Sequence, residues 1–399
     1  MDLTLTPELE ARRAAVRAFV EEHVIPLESE PAAYDEHENI ALPRLAALRA
    51  LVKERGLWAP QLPRADGGLG HSVAEIAVLY EEMGRSIFGP VAFNCAAPDD
   101  GNMTVLAKIA TPAQKARWLA PIVAGTVRSS FAMTEPDGGA GSDPALMYTR
   151  AERIAGGWRI SGRKWFIIGA GEAKHFILIA RTSDDERKGL TAFLFHADQP
   201  GWRIVRRIGI MGPEEHGGHC ELAFDALEVE DGDVLLGVGD GLKVTQIRLG
   251  QARLTHCMRW LGMARRALEL ALPYVRERKS FGTTLLEHES VQGAIGDAAM
   301  GIEIGRLLTM RAAVALDAGS FARKEISMAK VVVSEALGRA VDTAVQLCGA
   351  RGYSRDMLLE WMYRYAPQAR LVDGASAVHR MVVSREFARL GADFWSWNV

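Results

Sequence analysis

Apolar residues recur at helical spacing from Pro7 to about Gly84. A repeat of three and four residues places side chains on one face of a helix, so this region predicts a set of amphipathic helices. The segment 62–70 interrupts the pattern with one proline and three glycines in nine residues, which indicates a loop. The two clearest apolar stripes consist of Val16, Phe19, Val20 and Val24, and of Leu45, Leu48, Leu51 and Val52.

The spacing changes from helical to alternating between about residues 131 and 240. Alternation of apolar and polar residues is typical of strands with one buried face, and Gly, Asp and Pro clusters between the runs indicate turns. The predicted strands are 157–162, 175–180, 190–195 and 221–229. An antiparallel β domain inserted between two helical domains is the simplest arrangement.

Helical spacing returns after about Gly241. The segment 291–316 carries only four charged residues, which fits a helix buried on most sides. Small and apolar residues form one stripe from Glu325 to Cys348, and Gly349 is a good C-terminal cap. A four-helix bundle would bury these faces.

These patterns predict an α+β fold that is mostly α. Its expected parts are an N-terminal helical domain over 1–130, a middle antiparallel β domain over 131–240, and a C-terminal four-helix bundle over 241–399. A chain of 399 residues is long enough for two or three such domains.

The charge balance argues against polyanionic partners. With 47 basic and 50 acidic residues the net charge is −3, which provides no field to gather nucleic acid or a membrane surface. No run approaches the roughly 18 apolar residues that cross a bilayer. The four cysteines form no Cys-x-x-Cys pair, which favours buried thiols in a reducing compartment. We therefore expect a cytoplasmic protein.

Several familiar site patterns are missing from the sequence. The segment 216–220, His-Gly-Gly-His-Cys, has no zinc-ligand spacing and no second ligand pair, so we expect no metal site. No Gly-x-Gly-x-x-Gly opens a strand-helix unit, which disfavours a Rossmann nucleotide site. The absence of Gly-x-Ser-x-Gly weakens a hydrolase interpretation.

Two segments carry a more specific pattern. Residues 131–143 read Phe-Ala-Met-Thr-Glu-Pro-Asp-Gly-Gly-Ala-Gly-Ser-Asp, and residues 162–169 read Gly-Arg-Lys-Trp-Phe-Ile-Ile-Gly. Together they resemble the flavin-binding signatures of the acyl-CoA dehydrogenase superfamily. Further along, 277–282, 346–352 and the Asp-Gly at 373–374 match other motifs of that superfamily in the same order. The Asp-Gly resembles the branch with an aspartate in place of the usual catalytic glutamate.

The resemblance implies FAD as the cofactor. Arg278 matches an arginine that reaches the FAD pyrophosphate of a neighbouring subunit, and Gln346 with Ala350 matches a segment that also crosses to the partner. An obligate homodimer or homotetramer is therefore implied. Ile168 stands where the family usually has a hydroxyl-bearing threonine, so any hydrogen bond to flavin N5 must come from backbone. The positions that match cofactor contacts are Phe131, Met133, Thr134, Gly141, Ser142, Phe166, Ile167, Ile168, Arg278, Phe281, His288, Gln346, Ala350, Ala375 and Ala377.

The resemblance also implies that Asp373 is the catalytic base. Considered alone, an Asp-Gly before an apolar helix is more often an ordinary helix-start aspartate. In the family's reaction the base removes the α proton of an acyl thioester while the β hydrogen leaves as hydride to flavin N5. Enclosure should raise the pKa of this carboxyl once substrate is bound. The positions implied to contact substrate are Ser142, Arg253 and Gly374.

Three functional hypotheses follow. The leading hypothesis is an acyl-CoA dehydrogenase that forms a trans-2-enoyl-CoA in fatty acid metabolism and passes electrons to an electron-transfer flavoprotein. The second is an oxidase of the same fold, which acts on acyl-CoA or nitroalkanes and reduces oxygen to peroxide. The third is a catalytically silent relative that only binds flavin, which the presence of Asp373 disfavours.

Overall fold

Seven α-helices, with short 3-10 and π helices between them, build the N-terminal region in a computed structural model that describes residues 4–185 and 188–396. The start of the third helix is fixed by Ser72 and Glu75, because the side chain of each accepts a hydrogen bond from the backbone N–H of the other. Both predicted stripes lie on the buried side of their helices. The helices are α1 Pro7–Phe19, α2 Leu42–Glu54, α3 Val73–Met83, α4 Gly89–Ala92, α5 Asp99–Ile109, α6 Pro112–Gln114 and α7 Ala120–Val123.

A sheet of eight strands follows. The strands are β1 Arg128–Ala132, β2 Arg150–Ile154, β3 Gly157–Ile168, β4 Ala173–Arg181, β5 Leu190–His196, β6 Trp202–Arg207, β7 His219–Glu230 and β8 Val234–Leu235. Seven of them lie in the order β6-β7-β3-β2-β4-β5-β8, and β1 pairs with β4. The sheet has its own core of buried side chains, which includes Phe176, Phe193 and Phe195.

The sheet is mixed, whereas alternation predicted a purely antiparallel one. β1 runs parallel to β4, because a long crossover through residues 133–172 separates the two strands. β2 also pairs in parallel with β4, at a single residue pair. The pattern missed β6 because nearly all of its side chains are exposed and leave no buried alternation to detect.

The C-terminal region is helical apart from the two-residue strands β9 Lys279–Ser280 and β10 Thr283–Thr284. Its helices are α8 Gly241–Glu277, α9 Glu289–Asp317, α10 Arg323–Tyr353, α11 Leu359–Tyr365 and α12 Ser376–Leu390. The long helix α10 packs against α8, α9 and α12. Gly349 has φ 57° and interrupts the helical backbone of α10 at the predicted cap position. Within the described ranges, no helix combines the length and apolarity that a bilayer crossing requires.

Candidate active site

The glycine-rich segment and strand β3 are fastened to each other by backbone and hydroxyl hydrogen bonds. Thr134 Oγ1 donates to the carbonyl oxygen of Trp165 at 2.6 Å, and the Trp165 N–H donates to the Thr134 carbonyl at 3.0 Å. Ser130 Oγ donates to the Ile168 carbonyl at 2.7 Å. The structure thus brings the segment with Phe131, Met133 and Thr134 beside the end of β3; their contact with a flavin stays a prediction.

A buried ion pair anchors this arrangement. Lys164 Nζ lies 2.8 Å from Glu135 Oε1 and donates to the Met133 carbonyl at 2.9 Å. Glu135 also accepts from the N–H groups of Tyr148, at 2.6 Å, and Thr149, at 2.9 Å. Burial alone would raise the pKa of Glu135, but the Lys164 charge and these hydrogen bonds lower it overall. Sequence reasoning missed this pair, although both residues lie inside the quoted motifs.

Phe166 occupies an unusual backbone conformation at a break in the sheet. Its φ is 51°, and the pairing of β3 with β7 shifts register between Lys164 and Ile167. A bulky residue at positive φ is rare and costs free energy, and a bulge redirects a side chain. The Phe166 side chain is accordingly 45% exposed and free to stack on a ligand.

The neighbouring motif positions divide between sheet core and surface. Ile167 is buried in the sheet core, so only its backbone remains available to a cofactor. Ile168 is half-buried and lines a pocket. Gly141 and Ser142 are exposed, in a loop that begins with the left-handed residue Asp137.

Asp373 lies in a turn immediately before α12. It adopts φ 53°, and Gly374 follows with φ 104°. A Cβ on Gly374 would lie 3.1 Å from Nε2 of His379, so the turn requires glycine there. The N-cap of α12 is Ala375, two residues later, so Asp373 is not the ordinary helix-start aspartate that the sequence alone favoured.

Positive and polar side chains enclose the carboxylate of Asp373, which is 15% exposed. Arg248 Nη1 lies 3.4 Å from Oδ1, and His256 Nε2 lies 3.4 Å from Oδ2. Arg253 Nε donates to the Asp373 carbonyl oxygen at 2.7 Å. Burial favours the neutral acid, but His256, Arg248 and Arg253 outweigh it and hold the pKa of Asp373 far below its usual range. The upward shift expected with substrate bound stays a prediction.

Arg248 connects this carboxylate to the glycine-rich segment. Its guanidinium lies 4.5 Å from the centroid of the Phe131 ring, and its Nε donates to Asn102 Oδ1 at 3.2 Å. Ile168, His256 and the residue before Asp373, Val372, line one pocket. The structure therefore places parts of all three regions of the chain at one site.

Sequence reasoning did not find Arg248 or His256. The available signal was a set of charged residues within a part of α8 that is otherwise apolar. These side chains are buried or nearly so, and unpaired charges avoid such positions. Arg253, which the motif did single out, contacts Asp373 through backbone rather than carboxylate. His379 on α12 is buried beside Gly374.

The remaining predicted cofactor positions divide between the exposed ends of the C-terminal helices and the start of α12. Arg278 follows the end of α8, 30 residues beyond Arg248, which corresponds to roughly 45 Å along a helix. Phe281 is 98% exposed, and Gln346 and Ala350 are exposed near the end of α10. His288 is half-buried, with Nε2 3.1 Å from the Ser280 carbonyl. Close to Asp373, Ala375 is half-buried and Ala377 is exposed.

Two side chains of segment 216–220 contact backbone carbonyl groups of the fold. His216 Nε2 lies 2.6 Å from the Ile40 carbonyl oxygen, and Cys220 Sγ lies 3.4 Å from the Gly217 carbonyl. Within residues 4–185 and 188–396, no group of three or more His, Cys, Asp or Glu side chains is placed to hold a metal ion.

The fold has three parts: a helical N-terminal region, an inserted mixed sheet and a C-terminal helical bundle. They meet near the enclosed carboxylate of Asp373. The chain belongs to the acyl-CoA dehydrogenase family: models of its N-terminal, middle and C-terminal domains match residues 6–126, 130–227 and 239–388. Members of this family are oxidoreductases that act on CH–CH groups. The predicted fold class is confirmed.

Individual relatives agree with this assignment. The chain is 37% identical to acyl-CoA dehydrogenase family member 11 of Gallus gallus, over 93% of this chain and 49% of that protein. It thus spans about half the length of the first curated relatives it matches. It is 36% identical to the probable acyl-CoA dehydrogenase FadE2 of Mycobacterium tuberculosis, over 99% of both chains. A solved glutaryl-CoA dehydrogenase in complex with glutaryl-CoA shares 27% identity and a TM-score of 0.86, over 98% of this chain and 97% of that one.

Proposed function

We propose that this protein is an FAD-dependent acyl-CoA dehydrogenase that forms a trans-2-enoyl-CoA, with Asp373 as the base. One observation carries the proposal: Asp373 is an enclosed carboxylate beside the flavin-signature segment, separated from Phe131 by a single arginine. Family membership supports the reaction class. The complex of the glutaryl-CoA dehydrogenase relative with its thioester supports the substrate class.

The residues present fit a flavin. The hydrogen bonds from Ser130 to Ile168 and from Thr134 to Trp165 hold the segment with Phe131 along the end of β3, where Phe166 offers an exposed ring from a strained backbone. A planar ring system with polar edges suits such a surface of apolar side chains and backbone. When bound, FAD supplies the acceptor for the hydride that leaves the β carbon.

The chain's own residues account for the proton chemistry. Arg248, Arg253 and His256 keep Asp373 ionised in the free protein. Enclosure by bound substrate is then expected to raise the pKa of this carboxyl, which strengthens it as the base that removes a proton from the carbon next to the thioester carbonyl. Arg253, by binding the Asp373 carbonyl, fixes the turn in which Gly374 and the Asp373 N–H are presented. That N–H is the group we assign to polarise the thioester carbonyl oxygen. Ser142 and Arg253 are assigned to the substrate side.

We further propose that the protein functions as a homo-oligomer. Arg278, Phe281, Gln346 and Ala350 are exposed, and Arg278 lies roughly 45 Å along α8 from Arg248, which contacts Asp373. A guanidinium suits the pyrophosphate of a cofactor held mainly by a second subunit. Apolar side chains on α9 offer contact area for such assembly, and they are Met300, Ile304, Leu307 and Val314.

The electron acceptor and the compartment belong to the same proposal. An electron-transfer flavoprotein is the expected acceptor, because the leading reaction leaves two electrons on the flavin. All four cysteines, Cys95, Cys220, Cys257 and Cys348, are unpaired and buried, which supports a reducing compartment such as the cytoplasm.

Anaerobic titration of the FAD-loaded protein with a panel of acyl-CoA thioesters tests the function. We expect at least one thioester to bleach the flavin absorbance and to yield the 2-enoyl product. Bleaching followed by fast peroxide formation on admitting oxygen would indicate an oxidase. Retained flavin that no thioester bleaches would contradict the proposal.

A further inference from the structure

His256 on α8 faces the proposed base from the side opposite Arg248. Its Nε2 lies 3.4 Å from Asp373 Oδ2, at the long end of hydrogen-bond distances. Oδ2 is buried and makes no hydrogen bond to any residue of 4–185 or 188–396. A small rotation of the carboxylate or the imidazole would turn this contact into a hydrogen bond, and a buried, unpaired carboxylate oxygen strongly favours it.

The proton on His256 can be placed from its other neighbour. Arg259 Nη2 lies 3.2 Å from His256 Nδ1. A guanidinium is always a donor, so Nδ1 must accept and the proton of the neutral ring must sit on Nε2. That tautomer points an N–H at Asp373.

Arg259 itself is held firmly. Its Nη1 donates to Asp100 Oδ2 at 2.8 Å and to the Cys95 carbonyl at 2.6 Å. Tyr80 donates its hydroxyl to the other oxygen of Asp100 at 3.0 Å. The imidazole is also stacked on the Trp260 ring, with centroids 4.8 Å apart and planes inclined by 22°. The orientation of His256 is therefore fixed on three sides.

We propose that His256 is a positioning residue whose Nε2–H donates to Asp373 Oδ2, and that Arg259 fixes the tautomer this requires. The inference rests on the proposed function, in which Asp373 is the base. It also excludes a role: with Nδ1 facing a guanidinium and Nε2 already protonated, His256 is not the group that takes the proton from Asp373. Its contribution is to orient the carboxylate and to keep it ionised.

A matched set of variants separates this role from packing. His256→Phe keeps a ring for Trp260 but has no donor. His256→Asn keeps a polar atom near the Nδ1 position for Arg259 but is too short to reach Asp373. His256→Gln places an amide nitrogen near the Nε2 position and restores the donor. FAD content and melting temperature of each variant report on folding.

The readout is the pH dependence of flavin reduction by an acyl-CoA in anaerobic rapid mixing. The charged and titratable groups around the carboxylate are Arg248, Arg253 and His256 from α8, Lys330 from α10 and His379 from α12. Because bound substrate is expected to raise the pKa of Asp373 into a measurable range, we expect the acid limb in the enzyme–substrate complex to move up by about one pH unit in His256→Phe and His256→Asn, with reduction roughly ten-fold slower below the limb and near normal above it. His256→Gln should keep the wild-type profile.

Equal slowing of all three variants at every pH would show a merely structural role and overturn the inference, as would unchanged profiles in His256→Phe and His256→Asn. If one donor-free variant does not fold, the other decides. Asp373→Asn is measured in parallel. If it reduces flavin at the wild-type rate, the proposed function fails; if it is slow while the His256 variants are normal, only the role of His256 fails.

Discussion

The surroundings of Asp373 and those of Arg278 are opposite in character. Asp373 is enclosed, and two arginines and a histidine from α8 contact it within one chain. Arg278 lies on the surface just after α8, about 45 Å along that helix from Arg248. Phe281, three residues further on, is almost fully exposed. The neighbours that set the charge of Asp373 come from its own chain, whereas Arg278 and Phe281 face outward.

Under the proposed homo-oligomer, this difference assigns the proton chemistry to one subunit and part of the cofactor contact to its partner. Proton chemistry needs a carboxylate whose charge is set by fixed neighbours, and a single fold can supply those. The far end of a long anionic cofactor needs donors at a distance, and a second subunit can supply them without burying an unpaired charge. Substitutions in the enclosed region should therefore change stability and proton chemistry, whereas those in the exposed region should change cofactor binding.

The largest effect is expected for the ion pair under the glycine-rich segment. Lys164→Met should lower the free energy of unfolding by about 3–5 kcal/mol, because it leaves buried Glu135 without a cation. Denaturant unfolding measures the loss. The double variant Glu135→Leu with Lys164→Met removes both charges and should recover part of it. The exposed pair of Arg153 and Asp231 is a control, and Arg153→Gln should leave the melting temperature unchanged. An unperturbed Lys164→Met would contradict the anchoring role.

A pH-dependent effect is expected next, at His379. Burial, with the nearby charges of Arg253 and Lys330, lowers the pKa of His379 to about 4, against about 6.5 when unfolded. The unfolded chain therefore binds a proton that the folded chain does not between these values. Stability should fall as pH drops from 6.5 to 4, by about 3 kcal/mol from this residue. His379→Asn keeps a group near Ser327 and should flatten this part of the curve; an unaltered slope would argue against a neutral buried His379.

A smaller effect is expected at the exposed region. Arg278→Gln should weaken FAD binding about 10- to 100-fold without changing the stability of the unliganded chain, since it removes a charged donor from the pyrophosphate. Arg276→Gln is the matched control, because Arg276 is also exposed and lies two residues before Arg278. Isothermal titration with FAD measures both. Equal affinities for the two variants would remove the proposed role of Arg278.

Mixing subunits tests whether Arg278 serves the cofactor of its own subunit or that of its partner. If Arg278 serves the partner's cofactor, a heterodimer of Arg278→Gln with Asp373→Asn contains one intact site and one doubly defective site. At limiting FAD it should recover up to about half of the wild-type activity. If Arg278 serves its own subunit, both sites stay defective and no activity returns.

The sequence allowed much of the fold to be predicted, for physical reasons that also explain the misses. Helices with a long apolar stripe and strands with a buried face were found, and Gly349 breaks α10 where a left-handed residue was expected. β6 was missed because it is exposed, and the parallel pairing of β1 with β4 depends on a crossover that alternation does not encode. In the site, the motifs gave Asp373 and Phe131. They did not give Arg248, whose contact with Asp373 joins positions 125 apart.

The central claim is that Asp373 removes the substrate proton, and rapid anaerobic mixing of an acyl-CoA with FAD-loaded Asp373→Asn tests it most directly. The amide keeps the size of the side chain but cannot accept the proton, so flavin reduction should slow by about 10³-fold while FAD stays bound. Asp373→Glu, one methylene longer, should be impaired less severely. Flavin reduction by Asp373→Asn at the wild-type rate would contradict the account.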